Sequence, residues 1–117
     1  MKYFTIAEFD SPDEPGSGVN MHQDLLELLD EIRAIYGKPI AITSGYRTKK
    51  HNSYVGGKQN SSHLKGLAVD IGIENSNQRY EIIRIAMLLG IKRIGTGKGF
   101  VHIDIDASKP QNVNWVY

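Results

Sequence analysis

The stretch GFVHIDID, residues 99 to 106, alternates apolar and polar side chains from Val101 to its end. As a strand it sets Val101, Ile103 and Ile105 on one face and Phe100, His102, Asp104 and Asp106 on the other. The aliphatic face must be buried against a core, so His102 and Asp104 look out into whatever the opposite face lines. Asp106, at the end of the run, is expected to face solvent. Such a strand also needs neighbours to satisfy its backbone. GLAVDIGI, residues 66 to 73, reads as a second strand, and PIAITSGYR, residues 39 to 47, as a third, stopped by Ser44 and Gly45 and leading to a turn that presents Tyr46 and Arg47.

Helical signals separate these runs. DSPDEPGSG, residues 10 to 18, is a loop. After it Asn20 can cap a helix with Gln23 in the reciprocal position, and Met21, Leu25, Leu28, Leu29, Ile32 and Tyr36 share one face until Gly37 and Pro39 end it. NSYVGGKQNSSH, residues 52 to 63, reads as a loop. A second helix is predicted over residues 77 to 89, with Gly90 as its stop. This order lacks the regular alternation of a doubly wound fold. It predicts an α+β class: a small antiparallel sheet packed with two or three helices, in one domain spanning residues 1 to 117.

Composition narrows the function. A net charge of +1 offers no basic face for displacing counterions, so neither nucleic acid nor a membrane is an expected partner. Separately, a monomer is expected. The absence of cysteine removes thiolate ligands, leaving His, Asp and Glu to hold any metal. MKYFTIAEFDSPDEPG has no apolar run of signal-peptide length, so synthesis in the cytoplasm is expected, with any action on a cell wall waiting for release on lysis.

His63 and Asp70 interrupt a stretch of small and apolar residues, SSHLKGLAVDI, and His102 interrupts the strand at residues 99 to 106. Two imidazoles and a carboxylate are a standard donor set for a catalytic zinc ion, which keeps its fourth position open. By spacing alone the other account also stands: His63 caps a loop, Asp70 accepts backbone hydrogen bonds and His102 is a half-exposed strand residue.

SSHLKGLAVDI fits the pattern S-x-H-x-x-G-x-A-x-D through Ser61, His63, Gly66, Ala68 and Asp70, and so resembles the zinc D-alanyl-D-alanine carboxypeptidase and dipeptidase family of peptidoglycan peptidases. ITSGYRTKKHN, VGGKQNSSH and GFVHIDI resemble that family's arginine-bearing segment, connecting loop and last-histidine strand. YFTIAEFDSPDEPGSG and NWVY resemble its compact phage and bacterial members. The resemblance implies a hedgehog-like or D-Ala-D-Ala-peptidase-like fold, zinc on His63, Asp70 and His102, and Arg47 binding substrate or steadying an oxyanion. It implies hydrolysis of a cell-wall peptide, by a carboxypeptidase or a cross-link endopeptidase, as in a phage lysin. Gly66 and Ala68 are expected to let backbone approach the metal site, and Ser61 either to support a ligand or to shape its loop.

The chain departs from many relatives at Gly99, where they carry an acid three residues before the last histidine as general base. Asp104, two residues beyond His102 on the same face, is the candidate replacement, or else a carboxylate that orients a histidine ligand. His51, in polar KKHN, is a weaker option. The alternative to an enzyme is a non-catalytic zinc-binding interaction module of the same fold, as in the hedgehog signalling domain, and Gly99 argues for it.

Overall fold

In the computed structural model, which describes residues 1–117, five strands form one sheet in the order β1-β2-β4-β3-β5. They are β1 (Ile42–Ser44), β2 (Ala68–Gly72), β3 (Arg93–Thr96), β4 (Phe100–Asp104) and β5 (Val113–Val116). The first four in this order pair antiparallel, and β5 adds to the β3 edge in parallel. Three α-helices accompany the sheet: α1 (Gln23–Tyr36), α2 (Lys49–Tyr54) and α3 (Ser76–Leu88). The α+β class holds, with one parallel pairing in place of a purely antiparallel sheet. No helix is long and apolar enough to cross a membrane.

The period-two pattern divides the sheet into two unlike faces. Val69 and Ile71 of β2, Ile94 of β3 and Val101 and Ile103 of β4 are buried in one apolar cluster with Leu25, Leu29 and Ile32 of α1 and Ile82 and Ile85 of α3. Burying each of these side chains contributes roughly 1.5–3 kcal/mol. A slip of one residue would exchange the faces, so the register is pinned. On the opposite face, cross-strand pairing aligns Ser44, Asp70, His102, Gly95 and Trp115 in one row, and Ala68, Asp104, Arg93 and Val113 in the next.

Several local expectations need correction. The Asn20–Gln23 capping box does not form. Asp10 holds the backbone N–H groups of Gly16 and Gly18, which draws Ser17–Asn20 into a 3₁₀ turn, and α1 starts later with the His22 side chain accepting from Asp24 N. β1 ends at Ser44 as expected, where the next carbonyl, Gly45 O, accepts from a histidine ring, but it begins only at Ile42 rather than near Pro39. The start of the supposed loop at 52 to 63 is helical, as α2, with the Thr48 hydroxyl accepting from His51 N at its start.

Gly66 clears space at a different place from the one expected. Its φ is +70°, and a Cβ there would sit 2.0 Å from Asn20 O. It admits the chain leading into α1, and its carbonyl accepts from His22 N at 2.9 Å.

Candidate metal centre

Asp70 and His102 are direct cross-strand partners on β2 and β4, on the face turned away from the apolar core. His63 arrives from a 3₁₀ turn, Ser62–Lys65, that precedes β2. The Ser61 hydroxyl accepts from His63 N at 3.2 Å, so Ser61 shapes the turn that carries His63. His63, Asp70 and His102 are all buried, and one ligand atom from each lies within 4.8 Å of the others.

Each ring is held by one nitrogen. His63 Nδ1 lies 2.8 Å from the Gly45 carbonyl, to which it donates, leaving Nε2 facing Asp70 Oδ1 at 3.3 Å. His102 has the reverse arrangement: Nε2 donates to Asp104 Oδ2 at 2.7 Å, and Nδ1 faces Asp70 Oδ1 at 2.9 Å. Fixing one imidazole nitrogen in this way decides which lone pair is offered to a metal.

The electrostatics favour positive charge between these groups. Burial acts to raise the Asp70 pKa, but hydrogen bonds from His102 and His63 outweigh it and hold the carboxyl well below the usual carboxylate range. Burial pushes His102 down, yet hydrogen bonds to Asp104 and Asp70 lift it above an ordinary histidine. Two carboxylates thus favour the charged form of His102, in a place where a cation satisfies the same demand. Two nitrogens and one carboxylate oxygen, converging and free of thiolate, fit a divalent metal of the zinc type.

Arg47, from the turn after β1, reaches the same centre. Its Nε donates to Ser44 Oγ at 3.0 Å, one terminal nitrogen to Asn52 Oδ1 at 3.2 Å and the other to Asp70 Oδ2 at 3.4 Å. Asn52, buried on α2, also donates to Lys58 O at 2.8 Å and so ties the following loop to Arg47. Asp104 stands behind His102 with both oxygens engaged, Oδ2 by His102 and Oδ1 by Arg93 Nε at 2.7 Å. His51 is half-buried and does not line the groove described below.

Asp106 contradicts the expectation of a solvated strand end. β4 stops at Asp104, so the alternation no longer governs Asp106. It is buried, accepting from Ser62 Oγ at 2.8 Å, Lys65 Nζ at 3.1 Å and Ser108 Oγ at 2.6 Å. Burial acts to raise its pKa, but these bonds hold it well below the ordinary carboxylate range. It links the turn bearing His63 to the segment that follows the strand bearing His102.

The centre opens into a groove of about 560 Å³, with Lys58 and Tyr117 exposed along its rim. Arg47, Lys58 and Lys109 line it, and the Trp115 ring packs 5.4 Å from that of His102. Trp115 can approach because its cross-strand neighbour is Gly95, where a Cβ would lie 2.6 Å from the indole. Asn52, Arg93, Trp115 and Tyr117 also join the site, and no motif marks them in the sequence. The only prior sign of the last two was the likeness of NWVY to compact relatives.

The family profile described as Peptidase M15 matches residues 2–105, which include Arg47, His63, Asp70, His102 and Asp104. The chain belongs to the M15 peptidase family. Members of this D-Ala-D-Ala carboxypeptidase-like family are metal-dependent hydrolases of peptide bonds, which accounts for a metal-fitting cluster at the base of a groove. No curated protein matches the chain. Residues 106–117 lie outside the M15 match, yet they bring Lys109, Pro110, Trp115 and Tyr117 to the groove.

Proposed function

We propose that this M15 family member is a zinc-dependent peptidase that hydrolyses peptide bonds of bacterial peptidoglycan, as a D-Ala-D-Ala carboxypeptidase or a cross-link endopeptidase. The observation that carries the reading is the convergence of His63 Nε2, Asp70 Oδ1 and His102 Nδ1, each ring fixed through its other nitrogen, beside Arg47 in one groove. A zinc ion bound there supplies a Lewis acid and brings the pKa of a bound water from about 15.7 to about 7.

The chain's own residues contribute the rest. A guanidinium has five N–H donors, and Ser44, Asn52 and Asp70 engage three of those on Arg47, leaving two for a substrate carbonyl or carboxylate oxygen. Charge that develops on a carbonyl oxygen near Arg47 is therefore met by a cation already held in place. Of the two roles open to Asp104 we take that of the orienting carboxylate, a reading supported by its 2.7 Å contact with His102 Nε2. Arg47, Lys58 and Lys109 along the groove suit a peptide that carries carboxylates.

The same reading includes a lysin's working place, the cell wall reached after release from the cytoplasm, and action as a monomer. Gly99, with no acid at that position, favours a second reading as a zinc-binding module without hydrolysis. Purified walls incubated with the parent, His63→Ala and Arg47→Ala decide between them, with released amino groups and free D-alanine measured. New amino groups with the parent and none with His63→Ala support the enzyme. Zinc uptake with intact walls supports the module.

A further inference from the structure

Arg93 belongs to no ligand set and does not reach the three metal-fitting residues, yet it is almost fully buried on the ionic face of the sheet. Its Nε donates to Asp104 Oδ1 at 2.7 Å, and Asp106 N donates to the same oxygen at 3.1 Å. That leaves Oδ2 to face His102 Nε2 at 2.7 Å. The guanidinium is itself held from behind. One terminal nitrogen donates to Pro110 O at 2.7 Å, and its carbon lies 4.9 Å from the centre of the Trp115 ring. The parallel pairing of β5 with β3, with Val113 opposite Arg93, brings both groups there.

We infer that Arg93 is a positioning residue of the metal centre: clamped by Pro110 and Trp115 of the C-terminal segment, it sets the Asp104 carboxylate, which in turn presents His102 Nδ1 to the metal. The inference rests on the metal-dependent reading above. It gives residues 106–117, which lie beyond the family match, a part in holding His102 through Arg93 and Asp104, besides the Trp115 ring that packs against His102 directly. With Oδ1 held by Arg93 Nε and Asp106 N, the carboxylate resists rotation away from the imidazole. A lysine could match the charge but not the reach to both Asp104 and Pro110.

The test is Co²⁺ binding to the full chain, read by chelator competition and by the visible absorption of the bound ion, with circular dichroism of the metal-free proteins alongside. Arg93→Met is expected to weaken Co²⁺ binding about tenfold and to shift the spectrum, as loss of outer hydrogen bonding to a histidine ligand does. In an Asp104→Asn background the same change is expected to add less than about twofold, because the path through Asp104 is already cut. A role limited to general stability would not produce that coupling. Arg93→Lys, which keeps a cation in the site, is expected to bind several-fold more weakly than the parent and takes the decision if Arg93→Met does not fold. Parental affinity and spectrum in the folded Arg93 variants, or two fully additive losses in the double variant, would overturn the inference and leave the peptidase reading intact. Failure of the parent itself to bind Co²⁺ would overturn that reading, and the inference with it.

Discussion

A histidine offers a metal only the nitrogen that its surroundings leave bare, and here the two rings are prepared in opposite senses. His63 is held through Nδ1 by Gly45 O, and His102 through Nε2 by Asp104, so that both free nitrogens meet Asp70. Asp70→Asn keeps the volume but removes the charge that both rings face. It is expected to lower zinc affinity by more than about 100-fold, measured by chelator competition, and to abolish wall hydrolysis in a protein that still shows the parental circular dichroism. Arg47→Lys keeps the charge and loses the fork. The expected result in steady-state kinetics is a fall in kcat of about 10²–10³-fold with zinc content unchanged. The three metal-fitting residues were legible because each interrupts a stretch of small or apolar residues. Arg93 was not: in LGIKRIGTG it reads as one more exposed cation, and its partners Asp104, Pro110 and Trp115 become neighbours only when β3, β4 and β5 assemble. Asp106 was misread because a strand end was taken as solvated, whereas Ser62, Lys65 and Ser108, which lie elsewhere along the chain or in the following turn, close over it.

At the level of elements, the readable pieces are those whose pattern lasts. α1 shows a buried stripe from Leu25 to Ile32 and ends at Gly37, and β4 alternates in polarity from Val101 to Asp104. α2 has six residues, five of them polar or charged before Tyr54, so no apolar period announces it. β5 is half-buried at best and lies at a sheet edge, so VNWV carries little core signal. The turn that bears His63 depends on both of its ends. Gly66→Ala combines a left-handed backbone with a collision against Asn20 O, and a loss of about 2–5 kcal/mol is expected in denaturant unfolding. Asp106 anchors the turn through Ser62 and Lys65. Its folded pKa lies below the unfolded value, so it stabilises the protein above that value and the benefit fades as pH falls through the folded pKa. Asp106→Asn is therefore expected to cost about 1–3 kcal/mol at pH 7, with the gap to the parent narrowing in unfolding curves taken below about pH 4.

Across the whole molecule the charges nearly cancel, at +1, but they are not evenly spread. Arg47, Lys58 and Lys109 share the groove, and Asp70 and Asp104 beside them are committed to histidines. An anionic wall peptide would be drawn to that groove by a field that salt screens. KM on purified walls is expected to rise from about 0.02 to about 0.3 M ionic strength, with kcat little changed. Composition pointed away from nucleic acid and membrane partners but could not show this local asymmetry, which arises only when the turn after β1, the loop after α2 and the segment after β4 meet around one site. All of this chemistry depends on a metal at the junction of those segments. The most direct test is the zinc content and affinity of the purified full chain, by elemental analysis and chelator competition, with His63→Ala and His102→Ala beside it. One zinc ion per chain in the parent and none retained by either folded variant is the predicted result. A parent that takes up no zinc, or variants that hold it as well as the parent, would contradict the account.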